Sequence, residues 1–254
     1  MRWFVEHIDD VPDGAVLLAD HHEGTRGRQS REWKQYSGQL LLTILLKPDT
    51  AHPECPAKLV KAKTGVSKDD ISQKLHFLNM AITLGILGAL KEYGTILKWP
   101  NDFMLHDKKI GGMLLQAVWQ ENTLTGVIVG IGINVNSVIP DDDQLSEIAT
   151  SIFQVTGKKT DVDALQTQIF ESIDDYYQRW KNDEFDAIFY EWQRLQGYRG
   201  RQMCVHKKDG SVVRGVMNDV LPTGDLVLNP DSGEIQNISF CIVETVDISK
   251  NGQK

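Results

Sequence analysis

Apolar residues at Ile71, Leu75, Leu78, Ile82, Ile86 and Leu90 recur every three or four positions, a spacing that gathers them on one side of a helix. Ser and Asp residues precede the run as N-cap candidates, and Gly94 suits the exit. A second helix starts near Asp161, with Leu165, Ile169, Ile173, Tyr176 or Tyr177, and Trp180 on one side. A third covers about Glu184 to Leu195, its aromatic residues serving as core and docking contacts. Elsewhere the pattern is that of strands. Ala15 to Ala19 and Gln39 to Leu46 are apolar runs interrupted only by Thr43. Thr95 to Lys98, Lys109 to Gln116 and Thr125 to Ile133 read as adjacent antiparallel strands, with a hairpin-like turn at His106-Asp107-Lys108.

Past Gly197 the texture changes to short strands: Gln202 to His206, Val212 to Met217, Asp225 to Leu228, Glu234 to Ser239 and Ile242 to Val246. Asp209-Gly210, Pro222-Thr223-Gly224 and Ser232-Gly233 supply the turns. The expectation is an α+β chain in two parts, a helix-flanked mixed or antiparallel sheet over 1–197 and a small SH3-like barrel over 198–254. Two long polar connections interrupt the first part. One joins the first two strands and the other covers 48–70, with Pro48, Pro53 and Pro56 early in it. Connections that long in a compact domain are usually functional or disordered.

With 254 residues the chain has room for one large domain plus a small one. No apolar run approaches the roughly 18 residues of a membrane span, and Met1-Arg2-Trp3-Phe4-Val5-Glu6 turns charged too soon for a signal peptide. The net charge of -8 argues against a duplex-DNA binder, which needs a basic face. Cys55, Cys204 and Cys241 are odd in number and far apart, without C-x-x-C. They read as reduced thiols in the cytoplasm and not as a disulfide framework or zinc knuckle.

Three segments carry the chemistry. Thr25-Arg26-Gly27-Arg28-Gln29-Ser30-Arg31-Glu32-Trp33 packs three arginines and a tryptophan into nine residues. Guanidinium groups grip carboxylates and phosphates through paired donors, Gly27 permits close backbone approach, and an indole can cover a purine. A solvated basic loop is the plainer reading of the same residues. Lys98-Trp99-Pro100-Asn101-Asp102 is followed by Lys109-Ile110-Gly111-Gly112. Pro100 forces Trp99 to be extended, Asn-Asp commonly starts a turn, and Lys109 can be a strand-end charge. Yet a Gly-Gly pair inside a strand packs poorly and marks close approach of a ligand or backbone. Val129-Gly130-Ile131-Gly132-Ile133-Asn134 ends an apolar strand in an amide. It lacks the third glycine and the following helix of a dinucleotide fingerprint, and no P-loop motif occurs. His21-His22-Glu23 is a poor metal site, because neighbours on an extended chain point in opposite directions.

In this order and at these distances the three segments resemble biotin protein ligases, over about residues 15 to 248. The resemblance implies a class II synthetase-like sheet and two coupled steps. Biotin carboxylate attacks the α-phosphate of ATP, giving biotinyl-5'-AMP, and a lysine of a biotin carboxyl carrier domain then takes the acyl group. Magnesium accompanies the nucleotide; its protein ligands are not indicated. By motif, Lys109 and Arg28 are the catalytic groups. His22, Arg26, Gly27, Arg28, Lys109, Gly112 and Leu114 hold biotin. Arg28, Arg31, Trp33, Asn101, Lys109 and Asn134 hold ATP. The implied partner is the carrier domain of a biotin-dependent carboxylase, with no DNA and no membrane; a homodimer is left open. Only about a dozen residues precede the first strand, which argues for a short form without the DNA-binding domain of repressor members.

Departures from the family pattern are local. Thr25 and Ser30 stand where glycines are expected, and His22 where a glutamine meets the biotin ureido group. Glu6-His7-Ile8-Asp9-Asp10 occupies the region of a Ser-Thr-Asn segment and its following helix, both expected to be missing. Two alternatives stand beside the main reading: a lipoate- or octanoate-handling relative, and a non-catalytic small-molecule-binding descendant.

Overall fold

The structure, a computed structural model, describes residues 1–19, 27, 33–48, 68–121 and 123–248, with backbone alone for 68–70. Its centre is a six-stranded antiparallel sheet built from β1 (Ala15–Leu18), β2 (Gln39–Leu46), β3 (Ile96–Lys98), β4 (Asp102–Leu105), β5 (Lys108–Gln120) and β6 (Thr123–Asn134). The spatial order is β1-β2-β6-β5-β4-β3. β2 and β6 are interior strands with a packed cluster on each face, which is why their sequences carry apolar residues on both faces.

One face of the sheet is covered by α2 (Lys68–Leu90), α4 (Val162–Lys181) and α5 (Phe185–Arg194), while the short α3 (Ile152–Thr156) adds Ile152 to the same core. Asp161 caps α4, its carboxylate accepting from the amides of Asp163 and Ala164 at 3.1 Å. The buried stripe of α4 is Leu165, Ile169, Ile173, Tyr177 and Trp180. Tyr177 therefore takes the inward place, and the Tyr176 hydroxyl donates to Glu191 on α5 at 2.7 Å.

Two elements differ from the expectations. The region before β1 was expected to lack a helix, yet α1 (Arg2–Glu6) forms there. Phe4 and Ile8, four residues apart, pin it to the second face of the sheet beside Leu45, Val118 and Ile128. The turn expected at Asn101-Asp102 covers Trp99 to Asn101, and Asp102 opens β4.

The C-terminal strands β7 (Gln202–Lys207), β8 (Val212–Val220), β9 (Leu226–Pro230), β10 (Gln236–Ile238) and β11 (Val243–Ile248) form an antiparallel sheet ordered β10-β9-β8-β7-β11. Among the described residues β10 and β11 do not pair, so the ladder of the small barrel stays open. No helix among the described residues is long and apolar enough to cross a membrane.

Packing of α2 on α4 sets opposite fates for two glycines. A Cβ at Gly85 would lie 2.8 Å from the Ile173 Cα, a backbone atom, whereas at Gly88 the only near atom is the Ser172 hydroxyl, also at 2.8 Å. Alanine gains about 1 kcal/mol of helix propensity at either position, but overpacking against backbone costs about 1 to 3 kcal/mol. Gly85→Ala should therefore lower the unfolding midpoint in urea while Gly88→Ala leaves it unchanged or raises it, since a hydroxyl rotates aside.

Candidate active site

Alternation along β6 sends Val127, Val129, Ile131 and Ile133 into the helix-covered core, and Ile128, Gly130 and Gly132 to the opposite face. Register on that second face lines up Leu41, Gly132, Gly112 and Asp102 in one row and Thr43, Gly130 and Leu114 in the next. The row of two adjacent glycines gives the sheet a floor without side chains. Three side chains lie over it. A Cβ on Gly132 would meet Trp33 ring atoms at 3.1 and 3.3 Å, one on Gly130 the Met1 sulfur at 3.3 Å, and one on Gly112 the Lys109 Cε and Nζ at 3.4 Å.

Lys109 reaches this face through a bulge. Phe103 pairs with Gly111 and Met104 with Lys109, so Ile110 is an extra residue in β5. Strict alternation from Gly112 would send Lys109 toward the helices; the extra residue returns it to the side of Asp102 and lets Ile110 enter the core. The Lys109 backbone is fixed on its other edge, its N–H donating to Ile148 at 2.8 Å and its carbonyl accepting from Thr150 at 2.9 Å.

The Lys109 ammonium donates to Asp102 Oδ1 at 2.5 Å, and the Lys98 ammonium lies 3.8 Å from Oδ2 of the same carboxylate. Two cations thus share one carboxylate at the edge of the glycine floor. The Lys109 ammonium also sits 5.7 Å from the Trp33 ring centroid, and the buried Trp33 indole N–H finds no acceptor among the described residues. Asn134 is buried: its oxygen accepts from the Gln39 amide and its nitrogen donates to the Thr150 carbonyl, each at 2.9 Å. Asn101 accepts from the Asn79 amide at 3.1 Å.

Of the residues expected in the site, Trp33, Lys109 and Gly112 come together directly, with Leu114 one row along and Asn101 behind Gly112, its carbonyl 3.3 Å from a Cβ there. Asn134 lies at the same end of β6 with both ends of its amide engaged. His22, Arg26, Arg28 and Arg31 lie outside the described residues, and Gly27 is described without its neighbours. Sequence reasoning assigned no role to Asp102, Lys98 or Gly132. The signal for Asp102 was its seven-residue separation from Lys109 across a hairpin, which needs the bulge to become a contact. Among the described residues no group of three or more His, Cys, Asp or Glu can hold a metal ion. Beyond Trp33 the chain is tethered, Lys34 and the Tyr36 hydroxyl both donating to Asp143.

The fold is that of biotin protein ligases. The Aquifex aeolicus biotin protein ligase solved in complex with biotin and ATP superposes with a TM-score of 0.76 at 24% identity, over 98% of this chain and 94% of that one. The description Biotin/lipoate A/B protein ligase family fits residues 5–134, and the chain belongs to that family. The bifunctional ligase/repressor BirA of Bacillus spizizenii is 30% identical over 205 residues, 80% of this chain and 58% of that protein. The biotin--[acetyl-CoA-carboxylase] ligase of Mycobacterium tuberculosis is 23% identical over 231 residues, 85% of this chain and 74% of that one. The chain thus spans less than two thirds of the Bacillus relative's length.

Hydrogen bonds from Lys34, the Leu145 amide and Tyr36 hold the Asp143 carboxyl down from 3.8 to about 2. A depressed carboxylate keeps its tether above its ordinary range and loses it as pH falls through the folded value. Hydrogen exchange at 34–36, corrected for intrinsic rate, should stay constant down to about pH 4 and rise as pH approaches 2. Asp143→Asn should show the raised exchange already at neutral pH.

Proposed function

We propose that this chain is an ATP-dependent ligase that joins biotin to AMP and passes the biotinyl group to a lysine of a biotin carboxyl carrier domain. The observation that carries the reading is the Lys109 ammonium, held by Asp102 beside Gly112 and next to the Trp33 ring. A carboxylate and a triphosphate repel each other, so activation needs a cation between the attacking oxygen and the α-phosphorus. Lys109 is that cation in this reading, with Lys98 adding positive charge through the shared Asp102. As the carboxylate oxygen bonds to phosphorus, the bond to pyrophosphate breaks. The acceptor amine then bonds to the acyl carbon, loses a proton, and AMP leaves.

The glycine floor takes the flat acyl substrate, Leu114 walls its tail and Trp33 covers the adenine, its orphan N–H serving as a donor. Asn101 sits near the nucleotide. Asn134 has one donor and one lone pair to spare for it beyond its bonds to Gln39 and Thr150. His22, Arg26, Gly27, Arg28 and Arg31 complete the biotin and phosphate contacts. Magnesium would enter with the nucleotide in this reading. We also read residues 1–197 as the catalytic unit and 198–254 as an appended one.

Purified protein should release pyrophosphate from ATP only when biotin is present, with lipoate and octanoate failing to substitute. Lys109→Ala should reduce that release on the order of 10² to 10³, the effect of removing one well-placed stabilising group, with the circular dichroism spectrum unchanged. Folded Lys109→Ala with near-normal turnover would remove Lys109 from the mechanism. Release that lipoate supports as well as biotin would move the chain to the lipoate-handling branch.

A further inference from the structure

The strand that carries Asp102 is gripped at both ends by residues that lead into or connect the C-terminal strands: Gly224 in the β8–β9 turn, and Tyr198 and Arg201 just before β7. Trp99 is fully buried between Lys98 and the Pro100-Asn101-Asp102 run, and its indole N–H donates to the Gly224 carbonyl at 2.9 Å. Gly224 closes the β8–β9 turn with φ of +83°, its N–H donating to the Leu221 carbonyl at 2.8 Å. The turn is itself backed by two rings, His76 of α2 and Phe240, which meet edge-on at 5.0 Å. At the other end of β4, Asp107 occupies the β4–β5 turn with φ of +60°. Its carboxylate accepts from the Tyr198 hydroxyl at 3.1 Å and from both terminal nitrogens of Arg201 at 2.7 and 3.2 Å. Between these anchors lie Asp102 and the bulge that turns Lys109 toward it.

We propose that the C-terminal region is a positioning element for the Asp102–Lys109 pair, acting through Trp99 on Gly224 and through Asp107 on Tyr198 and Arg201. The inference rests on the reading of Lys109 as the group that stabilises adenylate formation. Neither anchor touches the glycine floor, so neither is a binding residue. Each sets where a turn sits, and the two turns set the spacing of the carboxylate and the ammonium. His106 and Asp107, both with positive φ, are the central pair of the two-residue β4–β5 hairpin turn. The ladders and the Lys109 bonds to Ile148 and Thr150 hold the strands, and the fork of Arg201, paired twice with the Asp107 carboxylate, fixes where the turn sits.

The test uses the full chain with Trp99→Phe, which keeps a large ring but removes the N–H, and Arg201→Gln, which removes the fork at a half-buried position. Asp247→Asn, which removes the charge from the His206–Asp247 contact in the C-terminal sheet, serves as the control for a change remote from both anchors. Two readouts are compared: kcat and KM for biotin-dependent pyrophosphate release, and the rate at which an amine-reactive acetylating reagent labels Lys109, followed by peptide mass spectrometry. Each anchor variant should lose about 10-fold in kcat, the scale of a sub-ångström misplacement, with KM for ATP and biotin unchanged. Lys109 labelling should rise several-fold as its hold on Asp102 loosens, and Asp247→Asn should alter neither. If Trp99→Phe fails to fold, Arg201→Gln carries the test alone. Normal kcat and unchanged labelling in a folded anchor variant overturn the proposal, as does a change confined to KM. Absence of pyrophosphate release in the unaltered chain would remove the ligase reading, and the labelling comparison would still decide whether the anchors position Lys109.

Discussion

Which face of a sheet a side chain occupies is a matter of parity, and in β5 the parity is broken once. Ile110 is the extra residue, so Lys109 shares a face with Asp102 and Gly112 while Ile110 and Gly111 both oppose Phe103 in the core. Without the bulge the ammonium would point into an apolar layer, where an unpaired charge costs several kcal/mol. The rest of the site depends on this one register shift. It determines that a cation stands over the glycine floor, that Asp102 can reach it, and that the backbone of Lys109 is free on its outer edge to bond with Ile148 and Thr150.

Charge then does what shape alone cannot. Asp102 binds Lys109 at 2.5 Å and stands 3.8 Å from Lys98. A carboxylate so placed orients the nearer ammonium but does not cancel both, and the Lys109 side chain keeps about a third of its surface open. The chain as a whole carries a net charge of -8, so the positive patch is local.

Most elements were legible in the sequence, the short β1 and β3 included, although β5 runs four residues beyond its expected end at Gln116. β2 has the predicted ends, Gln39 and Leu46, and β6 extends the predicted strand by a residue or two at each side. α4 starts after the predicted Asp161 cap. These elements show enough periods for the pattern to be read. α1, α3 and β4 have five, five and four residues, too few to repeat a pattern, and their place is decided by what they pack on. The site divides the same way. Lys109, Trp33 and the glycines stand out by composition. The bulge that turns Lys109, the sharing of Asp102 and the grip of Gly224 on Trp99 arise from register and from contacts between residues as far apart as 99 and 224, which no local window contains.

A sheet with helices on one side must also deal with its other side, and here the two halves of that second face have opposite solutions. Around Leu45, Val118 and Ile128 the chain covers itself, using Phe4 and Ile8 of the N-terminal segment with Met1, Val11, Ala15 and Leu17 packed around them. Two rows further along, large side chains would demand the same cover, but the sheet carries Gly130, Gly132 and Gly112 instead. The space that side chains would take there is filled from above, by the Trp33 ring over Gly132, Met1 over Gly130 and the Lys109 side chain beside Gly112. Such glycines weaken the sheet locally, while on the helix side β2 and β6 are buried through Leu40, Leu42, Val129 and Ile131. The glycine rows therefore let an aromatic ring and an ammonium come close to the strand backbone, and the single-residue bulge supplies the charge at their edge.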